Sequence, residues 1–477
     1  MWPSAEKQSL SHHDEFQIEK LPSKPRYQFV VYTGDQKEEA SVESSPGNVS
    51  FQPPVTAGSI AETAFEEILP IDEQLFPLSP ASGLLGWGGS FGPMESPFLF
   101  QAFVDGFLKS VSPQACHPRL LPLANFVPYA LQSPIMMDVF NACGASFLSS
   151  RDPSMKHEAK KRYSLCLTNF ANSLSRPRDG VEEWMVAAVI LLCLRDKFSG
   201  TLAIVPASHL AKALEMIRQL RQSGKLSVVS LKFLIETFLF NYTVMLLTGT
   251  QEVVLRLPSP FQVYDEWRPI LDYSPFRTAL PFMKYPIFGA ARHFYEIAAK
   301  VSWYFSHLPL SPEDKGVVCG LLSQTYTTPL PTITPEAEQE LLPHELIHVR
   351  ESIYLADMLQ NCCLLLLHKL LFPMLERDDP LVQEIVTKII HKLCALSGDS
   401  PIWIICTWPL LVCGIATSSA SQQHYIYSQC QRCASRFQME FLDQICRFLV
   451  SVWGTDTEAG LGWNCLLDRD IILRVYL

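Results

Sequence analysis

Between Glu38 and Leu108 the sequence contains no lysine and no arginine, although ten acidic residues, from Glu38 to Asp105, fall in that interval. A stretch so composed cannot neutralise phosphates, which excludes it as a grip on nucleic acid. No cysteine precedes Cys116. The opening residues, "MWPSAEKQSLSHHDEF", have neither a basic n-region nor an apolar h-region, so no secretory signal is expected. The 14 cysteines are therefore expected as reduced thiols in cytosol or nucleus. Long hydrophobic runs are also scarce. The greasiest, from Ile402 to Ala416, falls short of the ~20 residues a membrane span needs. It also contains Pro409, and "TSSASQQH" beyond it supplies no Lys/Arg cluster to orient a span. The runs Trp184–Leu194 and Leu364–Leu367 are shorter still. Ile402–Ala416 is expected to be core, in a protein without a membrane partner.

What is present fits a large helical protein. The 477 residues are 48% hydrophobic and 18% charged, enough to bury a sizeable core. The net charge of −10 argues against a protein that holds DNA by its own surface. Residues 1–57 are polar and rich in Pro and Ser, and read as disordered, with "SKPRYQFVVYTGDQ" as one short strand candidate. Residues 58–112 read as an acidic Pro/Gly-rich linker holding a short amphipathic segment, "AETAFEEILPIDEQLFPL". Its mix of Phe65, Ile68, Leu69, Ile71, Leu75 and Phe76 with Glu62, Glu66, Glu67, Asp72 and Glu73 is the composition of activation segments. The plainer alternative is an amphipathic helix that docks on the domain.

Residues 113–477 read as one helical domain. "VEEWMVAAVILLCL" is apolar nearly all round and predicts a central helix. "SHLAKALEMIRQLRQ" is amphipathic, with Ser208 as the expected N-cap. "FQMEFLDQICRFLVSVW" places Phe437, Phe441, Ile445, Phe448, Leu449 and Val452 on one helical stripe. The expected fold class is all-α.

Three motifs invite chemistry. "HELIH" puts His344 and His348 on one helical face, where two His bind zinc while Glu345 serves as general base. A third ligand is required; Glu376 is a candidate, but nothing marks it, and Pro343 places His344 in a first helical turn. The competing reading is two His at the half-exposed start of a helix. "CQRC", Cys430 to Cys433, is a lone CxxC with no second pair for a structural zinc and no βαβ context for redox work. "KHEAKKRY", Lys156 to Tyr163, is a basic cluster that fits either a weak nuclear signal or a solvated helix face. No P-loop, GxGxxG or GxSxG occurs in a usable context. Accordingly no catalytic, cofactor-binding or metal residue is assigned, and no cofactor is expected.

The last third of the chain carries a resemblance. "TWPLLVCGIAT", then a long helix ending "FLVSVW", then "GLGWNCLL", resembles the end of the fungal-specific transcription factor domain, the helical regulatory region of fungal zinc binuclear cluster transcription factors. The resemblance rests on Trp408, Pro409, Leu410 and Gly414, on Trp453, and on Trp463, Leu466 and Leu467. Earlier stretches are similar in order: "LLPLANFVPYALQSPIMMDVFNACGASFL", "EEWMVAAVILLCLRDKFSG", "YPIFGAARHFYEIAAKVSWY" and "RESIYLADMLQNCCLLLLHKLL". "HELIH" falls at the start of that last helix, which favours its structural reading. The resemblance spans roughly residues 115 to 470.

This resemblance implies a nuclear transcription regulator, not an enzyme, with related metabolic or secondary-metabolite roles. It also implies protein partners: a related DNA-binding factor, or itself as a dimer. Departures qualify it. Ala416 and Thr417 stand where the family carries an acidic residue after the Trp-Pro, and the helix start "QQHYIYSQCQRC" lacks the usual well-placed arginine. The six-cysteine zinc cluster with its basic tail is missing from this sequence, so no specific DNA contact is expected. Two alternatives stay open: a zinc hydrolase centred on residues 344–348, and a receptor for a small-molecule effector.

Overall fold

The computed structural model describes residues 96–472, apart from 112–113, 176–179, 197–203, 225–227, 275, 438–439 and 455–459. The region read as disordered and the segment Glu62–Phe76 lie outside the described residues. Among the described residues helix follows helix and no β-strand occurs, so the all-α expectation holds.

The fold begins earlier than the boundary expected at residue 113. Helix α1 (Ser96–Ala102) continues through a π turn, Phe103–Phe107, and a 3₁₀ turn, Leu108–Ser110. Phe100, Phe103, Phe107, Leu108 and Val111 are buried. Phe103 stacks on Phe140 with ring centroids 4.3 Å apart. The change of helical pitch inside this short stretch blurs the 3.6-residue period that would have revealed it.

Helix α2 (Pro134–Ser149) packs between α1, α3 (Lys156–Leu174) and α4 (Glu183–Asp196). Every residue from Trp184 to Leu194 of α4 is buried, as its unbroken apolar composition required. Helix α5 (Ile204–Ser223) lies on α4. It starts four residues before Ser208, so Ser208 is inside the helix and not its cap; Pro206 sits in the first turn, where its missing N–H costs nothing.

Helix α6 (Val228–Thr248) touches α4, α5, α7 (Pro260–Asp272) and α8 (Arg292–Tyr304). Its stretch Val229–Leu247 is long and apolar enough to cross a membrane, which corrects the expectation that no run reaches that length. Its hydropathy reflects position instead, because 78% of it is buried inside the fold.

In the C-terminal half, α10 (Pro343–Leu371) is the spine. Its 29 residues give a rod about 43 Å long at 1.5 Å per residue. Against it lie α8, α9 (Pro312–Thr327), α11 (Pro380–Ala395) and α12 (Thr407–Ala416). Pro134, Pro260, Pro312, Pro343 and Pro380 each open their helix, where a fixed φ is already helical and no donor is owed. These five of the chain's 35 prolines thus serve as helix starts.

The apolar run Ile402–Ala416 resolves into a 3₁₀ turn, Pro401–Ile404, and α12, of which every residue is buried. Pro409 is the third residue of α12, among the first-turn positions that have no intrahelical acceptor. Helices α13 (Ala420–Phe437) and α14 (Glu440–Trp453) follow. The stripe expected on one helix is therefore shared: Phe437 ends α13, while Ile445, Phe448, Leu449 and Val452 are buried on α14. A Cβ on Gly414 would come within 2.6 Å of Leu449 Cδ1, so α12 needs its glycine to let α14 approach. The Gly414 carbonyl accepts a 2.8 Å hydrogen bond from Trp453 Nε1. The motif around Trp-Pro and the helix ending in Trp453 are one packed unit.

Candidate functional site

A set of ionisable side chains lies inside the apolar core where α6, α7, α8 and α10 converge. Lys232 and Glu236 share a face of α6, and both are 0% exposed. Glu236 Oε1 accepts hydrogen bonds from the backbone N–H groups of Ile287 (2.8 Å) and Phe288 (2.7 Å), in the turn leading into α8. Ser352 Oγ, from α10, accepts one from Ala290 N–H at 3.0 Å. Between them Gly289 has φ +51°, and a Cβ there would lie 2.4 Å from Gln114 Oε1 and 2.5 Å from Ser352 Oγ. The turn in "YPIFGAAR" is thus held by polar side chains from two helices and tolerates only glycine at its tightest point.

Lys232 Nζ donates to the carbonyl oxygens of Leu271 and Tyr273, the second at 2.8 Å, and lies 4.7 Å from the Tyr285 ring centroid. It satisfies carbonyls that the C-terminus of α7 leaves without partners. On α8, Arg292 donates to Glu296 at 3.1 Å. Lys300 and Arg268 of α7 both reach the other oxygen of Glu296 at 2.8 Å. Tyr264 and Thr243 share a 2.9 Å hydrogen bond beside them.

Burial pushes the Glu236 carboxyl above the usual carboxylate range, against the pull of the Phe288 amide, Lys232 and the Ile287 amide. Burial likewise draws Lys232 below the usual lysine range, with Glu236 opposing it. Burial would raise Glu296 too, but the hydrogen bond and charge of Lys300, with Arg292 and Arg268, hold it at about 2. Among the described residues Glu236 Oε2, Arg292 Nε and Tyr295 OH have no hydrogen-bond partner. The bonded atoms are spent on backbone amides, carbonyls and each other. The arrangement clamps helices; it pairs no nucleophile with a base.

The sequence motifs fall elsewhere. "HELIH" opens α10. Glu345 accepts a 2.9 Å hydrogen bond from Leu342 N–H, so its carboxylate caps the helix. His344 is exposed, and His348 Nδ1 lies 3.7 Å from Glu351 Oε2. Glu351 in turn accepts from Ser397 N–H (3.0 Å) and Ser400 Oγ (2.8 Å). Glu376, considered as a third ligand, follows the opposite end of α10. Among the described residues no three His, Cys, Asp or Glu side chains converge to hold a metal ion. Cys430 and Cys433 are buried on α13, where a hydrogen bond to Cys446 and burial raise the Cys430 thiol, and burial raises Cys433 to about 11. All fourteen cysteines are free thiols. The basic cluster occupies the first turns of α3, with Lys156, His157, Lys160 and Lys161 exposed.

The C-terminal motif has a structural role as well. Lys369, fully buried at the end of α10, donates to Pro373 O (2.7 Å), Leu375 O (3.0 Å) and Asn464 Oδ1 (2.6 Å). Trp463 Nε1 donates to Leu375 O at 2.9 Å, and Lys369 Nζ lies 4.6 Å from the Trp463 ring centroid. "GLGWNCLL" therefore closes the far end of the spine helix.

Sequence reasoning missed the polar centre. Lys232 and Glu236 are an ordinary i,i+4 pair in the sequence, and only their apolar neighbours hinted at burial. No curated protein and no solved structure matches the chain. The sequence model of the family described as "Fungal specific transcription factor domain" matches residues 98–264 and 321–472. The match reaches back to α1, further than the resemblance that began near residue 115, and it passes over the stretch that holds Tyr285–Tyr304. It takes in α1 to α6 and α10 to α14, the Trp-Pro unit included, and its family is one of transcription factors and not of enzymes. By that match, over well more than half its length, the chain belongs to the fungal-specific transcription factor domain family.

Proposed function

We propose that this chain regulates transcription in the nucleus through protein partners, with no sequence-specific DNA contact of its own. Charge is the observation that carries the reading. The chain has 38 basic residues against 48 acidic ones, a balance that opposes phosphate contact inside the screening length. Base readout needs an element in the major groove, and the family's element is a zinc module. Every cysteine in this sequence stands at or after Cys116, in the helical region, so these residues do not include the closely spaced cysteines such a module needs. A related DNA-binding factor, or a second copy of this chain joined to one, would bring it to promoters. Control of a metabolic or secondary-metabolite pathway is the role this reading favours.

The test is an anisotropy titration of the full chain with duplex DNA at physiological salt and excess competitor. The expected result is weak, salt-sensitive binding without sequence preference. Submicromolar binding that prefers one sequence would overturn the proposal. In cells, the chain is expected at promoters only while its DNA-binding partner is present.

A further inference from the structure

The first half of α3 is a surface that the packing of the helices leaves unexplained. Lys156, His157, Lys160 and Lys161 are exposed there, and Leu165, one turn on, is 45% exposed. Glu158 pairs with Arg162 and, at 3.7 Å, with Lys161. Lys156 and Lys160 have no acidic partner among the described residues. Cations in the opening turns of a 19-residue helix are opposed by its dipole, which Glu158 offsets for Lys161 and Arg162 but not for Lys156 and Lys160.

We propose that this face is the docking surface for the chain's own acidic segment, Glu62–Phe76. The proposal does not depend on whether the chain regulates transcription. Three observations select that occupant. The first is position. Leu99 of α1 packs with Ala145 of α2 and Ala159 of α3 in one small cluster. Ala159 lies between Glu158 and Lys160, so α1, which opens at Ser96 where the described chain begins, shares a buried cluster with the turn that carries the basic residues.

The second is charge. From Glu38 to Glu95 the chain has no lysine or arginine, and Glu62, Glu66, Glu67, Asp72 and Glu73 fall in one short segment. They meet the exposed Lys156, Lys160 and Lys161 on a protein that is acidic elsewhere. The third is apolar complementarity. Phe98 is 61% exposed on α1, and Leu165 extends the basic face; Phe65, Leu69 and Phe76 are the matching apolar groups of the segment. From Phe76 to Ser96 a coil of that length spans about 25 Å on average. A tether of this kind supplies an effective concentration of about a millimolar, so a weak contact suffices.

The experiment is zero-length carbodiimide cross-linking of the full chain, which joins a carboxylate to a lysine only in direct contact, read by mass spectrometry on a mixture of isotopically heavy and light protein. Cross-links from Glu62, Glu66, Glu67, Asp72 or Glu73 to Lys156, Lys160 or Lys161 are expected within single molecules. They should disappear at about 1 M salt, where the Debye length is about 3 Å. Amide hydrogen exchange over residues 62–76 should run about tenfold faster in the K156E/K160E/K161E variant, the effect of losing 1.4 kcal/mol of contact.

The three lysines are exposed, and glutamates suit an opening helical turn, so the variant is expected to keep its far-UV circular dichroism and melting temperature. The reciprocal E62Q/E66Q/E67Q variant should release the segment in the same way. Cross-links scattered over lysines such as Lys315 and Lys388, links only between heavy and light copies, or unchanged exchange in both variants would overturn the proposal. Capture of duplex DNA by the α3 lysines while residues 62–76 stay unprotected would also overturn it.

Discussion

Replacing Gly289 with alanine tests the account of the polar centre most directly. At φ +51° an L-residue carries a backbone cost of about 1–2 kcal/mol. The added methyl would also sit 2.4 Å from Gln114 Oε1 and 2.5 Å from Ser352 Oγ, far inside contact distance. Gln114 and Ser352 are 4% and 1% exposed, so neither side chain has solvent to move into. Displacing Ser352 breaks its 3.0 Å hydrogen bond with Ala290 N–H and leaves a buried donor unpaired, at about 1–3 kcal/mol. The combined loss should be roughly 3–5 kcal/mol, a large part of the 5–15 kcal/mol that holds an ordinary domain together.

Urea denaturation followed by tryptophan fluorescence reads this loss. The S352A variant and the G289A/S352A double variant complete a cycle. Because the methyl and the hydroxyl compete for the same space, the double variant should lose clearly less than the two single losses together. A G289A variant destabilised by less than about 1 kcal/mol, or strict additivity in the cycle, would refute the reasoning.

Three further outcomes follow from the packing and the charges. Leu410→Ala empties a fully buried site on α12 and should cost about 2–5 kcal/mol in the same assay; an effect near zero would place Leu410 at the surface. Glu296, held at about 2 by Lys300, Arg292 and Arg268, contributes stability that is complete above the ordinary carboxylate range and is lost as pH falls from about 4.5 toward 2. The contribution is about 3 kcal/mol, so wild type and Glu296→Gln should differ at pH 7 and converge near pH 2; a gap independent of pH contradicts the ion cluster. Lys369→Met leaves the carbonyls of Pro373 and Leu375 and the Asn464 side chain without their donor. Hydrogen exchange should speed up around residues 373–375 and 463–467, and unchanged exchange there would contradict the role given to Lys369.

Where the sequence was legible, the signal was local. The unbroken apolar composition of α4 announced a buried helix, and Pro343 announced the start of α10. The Trp-Pro motif was readable as core because its length and its proline excluded a span. Features built from distant residues were not readable. Glu236 binds amides 51 and 52 residues away, and nothing near Glu236 in the sequence marks Ile287 or Phe288 as its partners. The approach of Leu449 to Gly414 and the clustering of Leu99 with Ala145 and Ala159 are equally non-local. Ser208 failed as a cap because a polar residue before an apolar pattern is a common coincidence inside a helix. The helix α1 was missed because its pitch changes partway.

Helices as greasy as α6 can satisfy their apolar surfaces in more than one register, since one leucine serves a hydrophobic groove about as well as the next. A slip of one turn along the helix axis moves every side chain by about 5.4 Å. For an all-aliphatic helix such a slip is cheap. For α6 it would carry Glu236 away from the Ile287 and Phe288 amides and Lys232 away from the carbonyls of Leu271 and Tyr273, leaving both buried groups without their backbone hydrogen-bond partners. Breaking a buried charged contact from one side costs about 3–5 kcal/mol. The two residues that make α6 a poorer hydrophobe thus fix its sliding coordinate, as a key in a slot fixes a shaft.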